Sequence, residues 1–139
     1  SEGDGGNSKV QDLKRRCEMV RKIQPDCVLS IHQNSYPEEA IHGAQVFYYE
    51  DSLEGKKLAE ILQKHLVEVL DKENHRQAKG NRTYYMLKKT EATLVIVECG
   101  FLSNNQEALL LTDEKYQNKV AKAICSGTLE YLSSLAEKK

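Results

Sequence analysis

Two stretches of this chain are almost wholly apolar, and each stops at a titratable side chain. CVLSIH, residues 27 to 32, ends in His32, and TLVIVE, residues 93 to 98, ends in Glu98. A strand covered on both faces reads as a continuous apolar run, and such strands belong inside mainly parallel sheets flanked by helices. In open α/β sheets, ligands bind beyond the carboxyl ends of the strands. Both runs therefore deliver a titratable group to the place where an α/β domain binds ligands. If the two strands are parallel near neighbours, His32 and Glu98 meet at one rim.

The rest of the chain supplies the helices that this reading needs. Ser8 and Gln11 have capping-box spacing, Val10, Leu13, Cys17 and Val20 follow at helical spacing, and Pro25 stops the helix. GAQVFYYE, from Gly43, reads as a short strand. Asp51 and Glu54 open a long amphipathic helix over 53 to 72, whose apolar stripe runs through Leu58, Ile61, Leu62, Leu66 and Val69. His65 falls on that stripe as a packed or edge residue. Residues 73 to 82 read as a polar loop, and YYMLK, residues 84 to 88, as a strand. Ser103 to Gln106 begins a short helix. Thr112 followed by Asp113 caps the last one, in which Gly127 is a weak point. The expected fold is a single three-layer α/β/α domain over residues 1 to 139 with a mainly parallel sheet.

Charge excludes some functions. Lys and Arg total 20 against 21 Asp and Glu, for a net charge of −1, so the basic excess of a nucleic-acid binder is absent. No run is long enough to be a transmembrane segment. Cys17, Cys27, Cys99 and Cys125 form no C-x-x-C pair, and Cys27, Cys99 and Cys125 lie in apolar stretches. They read as reduced, buried small residues.

A carboxylate beside an apolar interior is costly without partners, so Glu98 is either tied to backbone donors or part of a site. His32 alone reads equally as a hydrogen-bonded rim histidine or as a ligand. Asn34 can bind substrate or anchor its loop. Arg76 is either solvated or engages a peptide carboxylate.

SIHQNSY, GAQVFYY, NHRQAK and VECGFLSN followed by EALLL resemble the zinc-dependent N-acetylmuramoyl-L-alanine amidases, most closely their spore-cortex members, from about residue 8 to residue 133. The resemblance implies a phosphorylase/hydrolase-like fold. It implies His32 as a zinc ligand, Glu98 as the catalytic carboxylate, and hydrolysis of the amide joining N-acetylmuramic acid to L-alanine in peptidoglycan, in spore cortex maturation and germination. It also implies an exported protein of the cell wall or spore envelope. The chemistry suits these residue types. Hydrolytic zinc keeps three protein ligands and an open position for water, and a nearby glutamate moves the water proton to the leaving amine.

The sequence departs from the family in one respect. The resemblance implies two further zinc ligands, a histidine and a glutamate, in a part that opens with a strand and an H-G-G turn. No H-G-G occurs here. The expectation is a partial domain lacking its N-terminal strands and half of its zinc site, with an exposed sheet edge open to self-association or a protein partner. Glu38, Glu39, His42, His65 and His75 are the available substitutes, and none has convincing ligand spacing. Two other readings stand beside the enzyme: a non-catalytic amidase-fold domain that binds cell-wall glycopeptide or a protein, and an unrelated hydrolase using Cys99 as nucleophile. Strand alternation puts Cys99 on the opposite face from Glu98.

Overall fold

A computed structural model describes residues 5–34, 42–101 and 103–138, the side chains of 5–7 and 34 excepted. Its centre is the strand Leu94–Phe101, in which all eight residues are buried. In chain order the elements are α1 (Gly5–Ile23), β1 (Val28–Asn34), β2 (Gln45–Tyr49), α2 (Leu53–Leu70), β3 (Lys79–Asn81), α3 (Tyr85–Lys89), β4 (Leu94–Phe101), α4 (Asn105–Leu111) and α5 (Glu114–Glu137). The four strands form one sheet in the order β1-β4-β2-β3. β1 runs parallel to β4, and β3 parallel to β2, while β2 and β4 are antiparallel. The sheet is mostly parallel and flanked by helices on both faces.

Alternation along β4 divides the core. Val95, Val97 and Cys99 pack with Leu58, Leu62 and Leu66 of α2, Leu111 of α4, and Val120, Ala123 and Tyr131 of α5. Leu94 and Ile96 face the other way, onto Cys17 of α1 and Met86 and Leu87 of α3. Each apolar run thus has helices above and below it, as its continuous hydrophobicity requires.

Several sequence expectations change. YYMLK is not a strand: residues 85 to 89 form α3. Asn81 Oδ1 accepts from the backbone N–H of Thr83 and Tyr84, each at 2.8 Å, which turns the chain sharply. Met86 and Leu87 then seal the α1 side of the sheet. The polar loop contains β3, which pairs with β2 through three residues. β1 is an edge strand among the described residues rather than an interior one, and Ile31 is 52% exposed there. Helix α1 begins at Gly5, upstream of Ser8. The N-caps of α2, α4 and α5 are Ser52, Asn104 and Asp113, each one residue beyond the position read from sequence. All four cysteines are free, but Cys125 is exposed and Cys27 only partly buried.

Candidate functional site

His32 and Glu98 are register partners on adjacent parallel strands, and Gln45 of β2 is the partner of Glu98 on its other side. Side chains directly opposite one another share a face. His32, Glu98 and Gln45 therefore form one polar row across three strands. The row lies on the α1/α3 face, just beyond the apolar Ile96 and Phe47, in the second halves of β1 and β4 and at the first residue of β2. Immediately past it, the register slips: His32 pairs with Glu98, but Asn34 pairs with Phe101. Such bulges concentrate next to active sites, where they end or redirect pairing.

Glu98 is fully buried and Gln45 is 9% exposed, while His32 is half-buried. Ser30, two residues before His32 and on the same face, lies 2.9 Å from its Nε2 through Oγ. Tyr84 meets the imidazole edge-on, with ring centroids 6.4 Å apart. Burial lowers the proton affinity of His32, and the positive charge of Arg16 acts in the same direction. A neutral imidazole is the form that ligates metal, and metal-bound histidines commonly hydrogen-bond through their second ring nitrogen. His32 with Ser30 fits one corner of a zinc site. Among the described residues, however, no group of three His, Cys, Asp or Glu side chains is placed to hold a metal. The described residues alone do not complete a zinc site.

The start of β2 is fixed by four side chains from three other segments. Gln63 of α2 accepts from Val46 N at 2.8 Å and donates to Ala44 O at 3.0 Å. Asn74 also donates to Ala44 O. Glu107 of α4 accepts from Gly43 N and from Phe101 N, at 2.8 and 2.9 Å. Gly43 has φ +94, and a Cβ there would lie 2.8 Å from Asn74 Oδ1, so glycine is required. Arg76 completes the set. Its Nε donates to His42 O and its Nη1 to Gln45 Oε1, each at 2.7 Å, and its guanidinium lies 5.2 Å over the Phe101 ring. Arg76 thus stands next to the polar row, already engaged with it through Gln45.

The structure brings His32 and Glu98 together and puts Arg76 one residue away. Asn34 ends β1, and its side chain, like Glu38 and Glu39, lies outside the described residues. His65 is a rim residue between α2 and α5, 3.2 Å from Glu130 Oε1. Cys99 lines a cleft on the α5 side with Ile31, Val120 and Ile124. Burial, with Glu98 adding to it, pushes its thiol up to about 11. The thiolate is the nucleophilic form, so this cysteine is poorly suited to attack. Gln45, Ser30 and Glu107 were not singled out from sequence. Only Gln45 left a readable sign there, as a polar residue alternating with Phe47 and Tyr49.

Fold and row together define a three-layer α/β domain with a polar row across β1, β4 and β2. The N-acetylmuramoyl-L-alanine amidase family profile matches residues 3–130. The chain belongs to that family. It is 37% identical over 134 residues to the germination-specific N-acetylmuramoyl-L-alanine amidase of Bacillus subtilis, a match covering 95% of this chain and 56% of that protein. The CwlD amidase from Clostridioides difficile, solved in complex with the GerS lipoprotein, superposes with a TM-score of 0.90 at 39% identity, over 94% of this chain and 66% of that one. The amidase AmiC2 of Nostoc punctiforme gives 0.77 at 29%, over 86% and 65%. The chain thus spans less than two thirds of these relatives.

Proposed function

We propose that this domain hydrolyses the amide between N-acetylmuramic acid and L-alanine in peptidoglycan, with a role in spore cortex maturation or germination. The observation that carries the proposal is the register pairing of His32 with Glu98 on one face of the sheet. Glu98 is the general base: it takes a proton from water as the oxygen attacks the lactyl carbonyl carbon. The C–N bond breaks, and Glu98 passes the proton to the leaving amine. The products are a muramic carboxylate and a stem peptide with a free L-alanine amine. His32 is one zinc ligand, with the remaining donors outside the described residues. Asn34 and Arg76 are contacts to substrate at either side of the row. Residues 1 to 139 act as one partial catalytic domain, exported to the cell wall or spore envelope. The exposed edge of β1 is the surface for self-association or a protein partner. Among the described residues, no helix is long and apolar enough to cross a membrane.

The test is incubation of peptidoglycan with the chain and with a form extended to the length of its relatives, followed by detection of new amino-terminal alanine. The alternative reading, a non-catalytic glycopeptide binder, is favoured by the incomplete donor set. It predicts muropeptide binding without release of alanine amines in either form.

Zinc content gives a second test. A single imidazole holds zinc weakly and with little selectivity. After dialysis against zinc-free buffer, the 139-residue chain is expected to retain well under one zinc per molecule. A full equivalent that disappears in His32→Ala would instead locate the other ligands within this chain, with Glu38 and Glu39 the first to examine.

A further inference from the structure

Beside His32, on the same face as Glu98, a cleft of about 390 Å³ opens between α1 and the start of α3. Ser30 and His32 line its sheet side, Lys9, Asp12 and Arg16 come from α1, and Tyr84 forms the opposite wall. Two cations face one acid there, although the whole chain carries a net charge of −1. The positive character is thus local to the cleft. Arg16 pairs with Asp12 at 3.0 Å, but both side chains are more than half exposed, at 57% and 53%. Such a pair contributes little and yields readily to a better anion. Arg76 differs, because His42 O, Gln45 and the Phe101 ring already hold its guanidinium.

We infer that this cleft is the subsite for the stem peptide, with Arg16 binding a free carboxylate on the peptide side of the scissile amide. The inference rests on the amidase reading above and adds the direction in which substrate lies. Ile96 also lines the cleft and sits two residues before Glu98 on the same face. That separation is roughly 7 Å along a strand. An extended peptide advances about 3.5 Å per residue, so the acidic residue after L-alanine reaches a similar distance from the scissile bond. A guanidinium binds a carboxylate through two parallel hydrogen bonds, which Lys9 cannot imitate. Tyr84 packs against both His32 and Phe47, which makes it a firm wall for the peptide backbone.

The experiment is calorimetric titration of the 139-residue chain with lactyl-L-alanyl-γ-D-glutamate and with the same compound fully amidated. The acid form is expected to bind about ten-fold more tightly, the range of one charge-assisted contact at a partly exposed site. Arg16→Gln should erase that preference, Arg16→Lys should keep part of it, and Lys122→Gln, exposed on α5 across the sheet, should leave it in place. The Arg16 side chain is more than half exposed, and circular dichroism checks that each variant is folded. No acid preference in the wild type, its survival in Arg16→Gln, or its loss in Lys122→Gln would overturn the assignment. Binding is read without turnover. A chain that prefers the acid through Arg16, yet releases no alanine amine even when extended, leaves the subsite standing and sinks the amidase reading.

Discussion

Glu98→Gln, made in a form of the protein extended to the length of its relatives, is expected to lose amide hydrolysis by a hundred- to ten-thousand-fold while the fold and any bound zinc are retained. The substitution keeps size and shape and removes the proton acceptor, and general acid–base catalysis contributes on that order. Glu98 has no solvent exposure, and a buried charge is costly unless its partners compensate. Glutamine keeps the size and shape of the side chain, so the thermal midpoint is expected to change little. A residue kept for stability would behave in the opposite way, with turnover per folded molecule intact and the midpoint lowered. His32→Ala separates the two roles on this row. It should lose both zinc and activity, because it removes a ligand, whereas Glu98→Gln should lose activity alone. The measurements are zinc content, thermal midpoint and alanine-amine release on the same preparations. Normal turnover in Glu98→Gln with normal zinc would reduce the family likeness to fold alone.

The two titratable residues were legible in the sequence because they interrupt apolar runs, but they do not end their strands: β1 continues to Asn34 and β4 to Phe101, and Glu98 and the three residues after it are all buried. Register was legible only as a condition. That His32 faces Glu98 follows from Val28 pairing with Leu94, and nothing local in either strand fixes that offset. The clamp on β2 was illegible for a related reason. Gln63 sits within the apolar stripe of α2, where composition gives no sign that both ends of its amide serve the backbone of residues 44 and 46. The error at residues 84 to 88 has a different cause. Tyr84 and Tyr85 favour strands, but strand preference depends on packing context more than on backbone. The turn set by Asn81 and the burial of Met86 and Leu87 prevailed. The capping positions were displaced by one residue because neighbours of similar chemistry compete. Asp51 and Ser52 can both cap a helix, and only the backbone geometry selects Ser52, whose Oγ accepts from Gly55 N at 2.9 Å.

Gly127 reads from sequence as a flaw in α5, since glycine weakens a helix interior. In the fold it is where α5 comes against α2: a Cβ at this position would lie 2.8 Å from Leu62 Cδ2 and 3.4 Å from Leu62 Cα. Leu62 is fully buried and belongs to the larger core cluster. Leu62→Ala is expected to destabilise the domain by about 3 kcal/mol, within the range of buried leucine truncations. That corresponds to a fall of roughly 10 °C in thermal midpoint for a chain of this size. Gly127→Ala alone sets a helix-propensity gain of about 1 kcal/mol against a contact that a packed leucine cannot easily relieve, and overpacking a core costs about 1–3 kcal/mol. The single variant should therefore be neutral to destabilising. In the Leu62→Ala background the obstructing methyl is gone, so Gly127→Ala should become stabilising, through both helix propensity and partial filling of the cavity. The predicted quantity is the coupling: the effect of Gly127→Ala should change by about 1 kcal/mol or more between the two backgrounds, as for residues in direct contact. Denaturant titrations of the four proteins measure it. Strict additivity would show that glycine at 127 reflects something other than the close approach of α2 and α5.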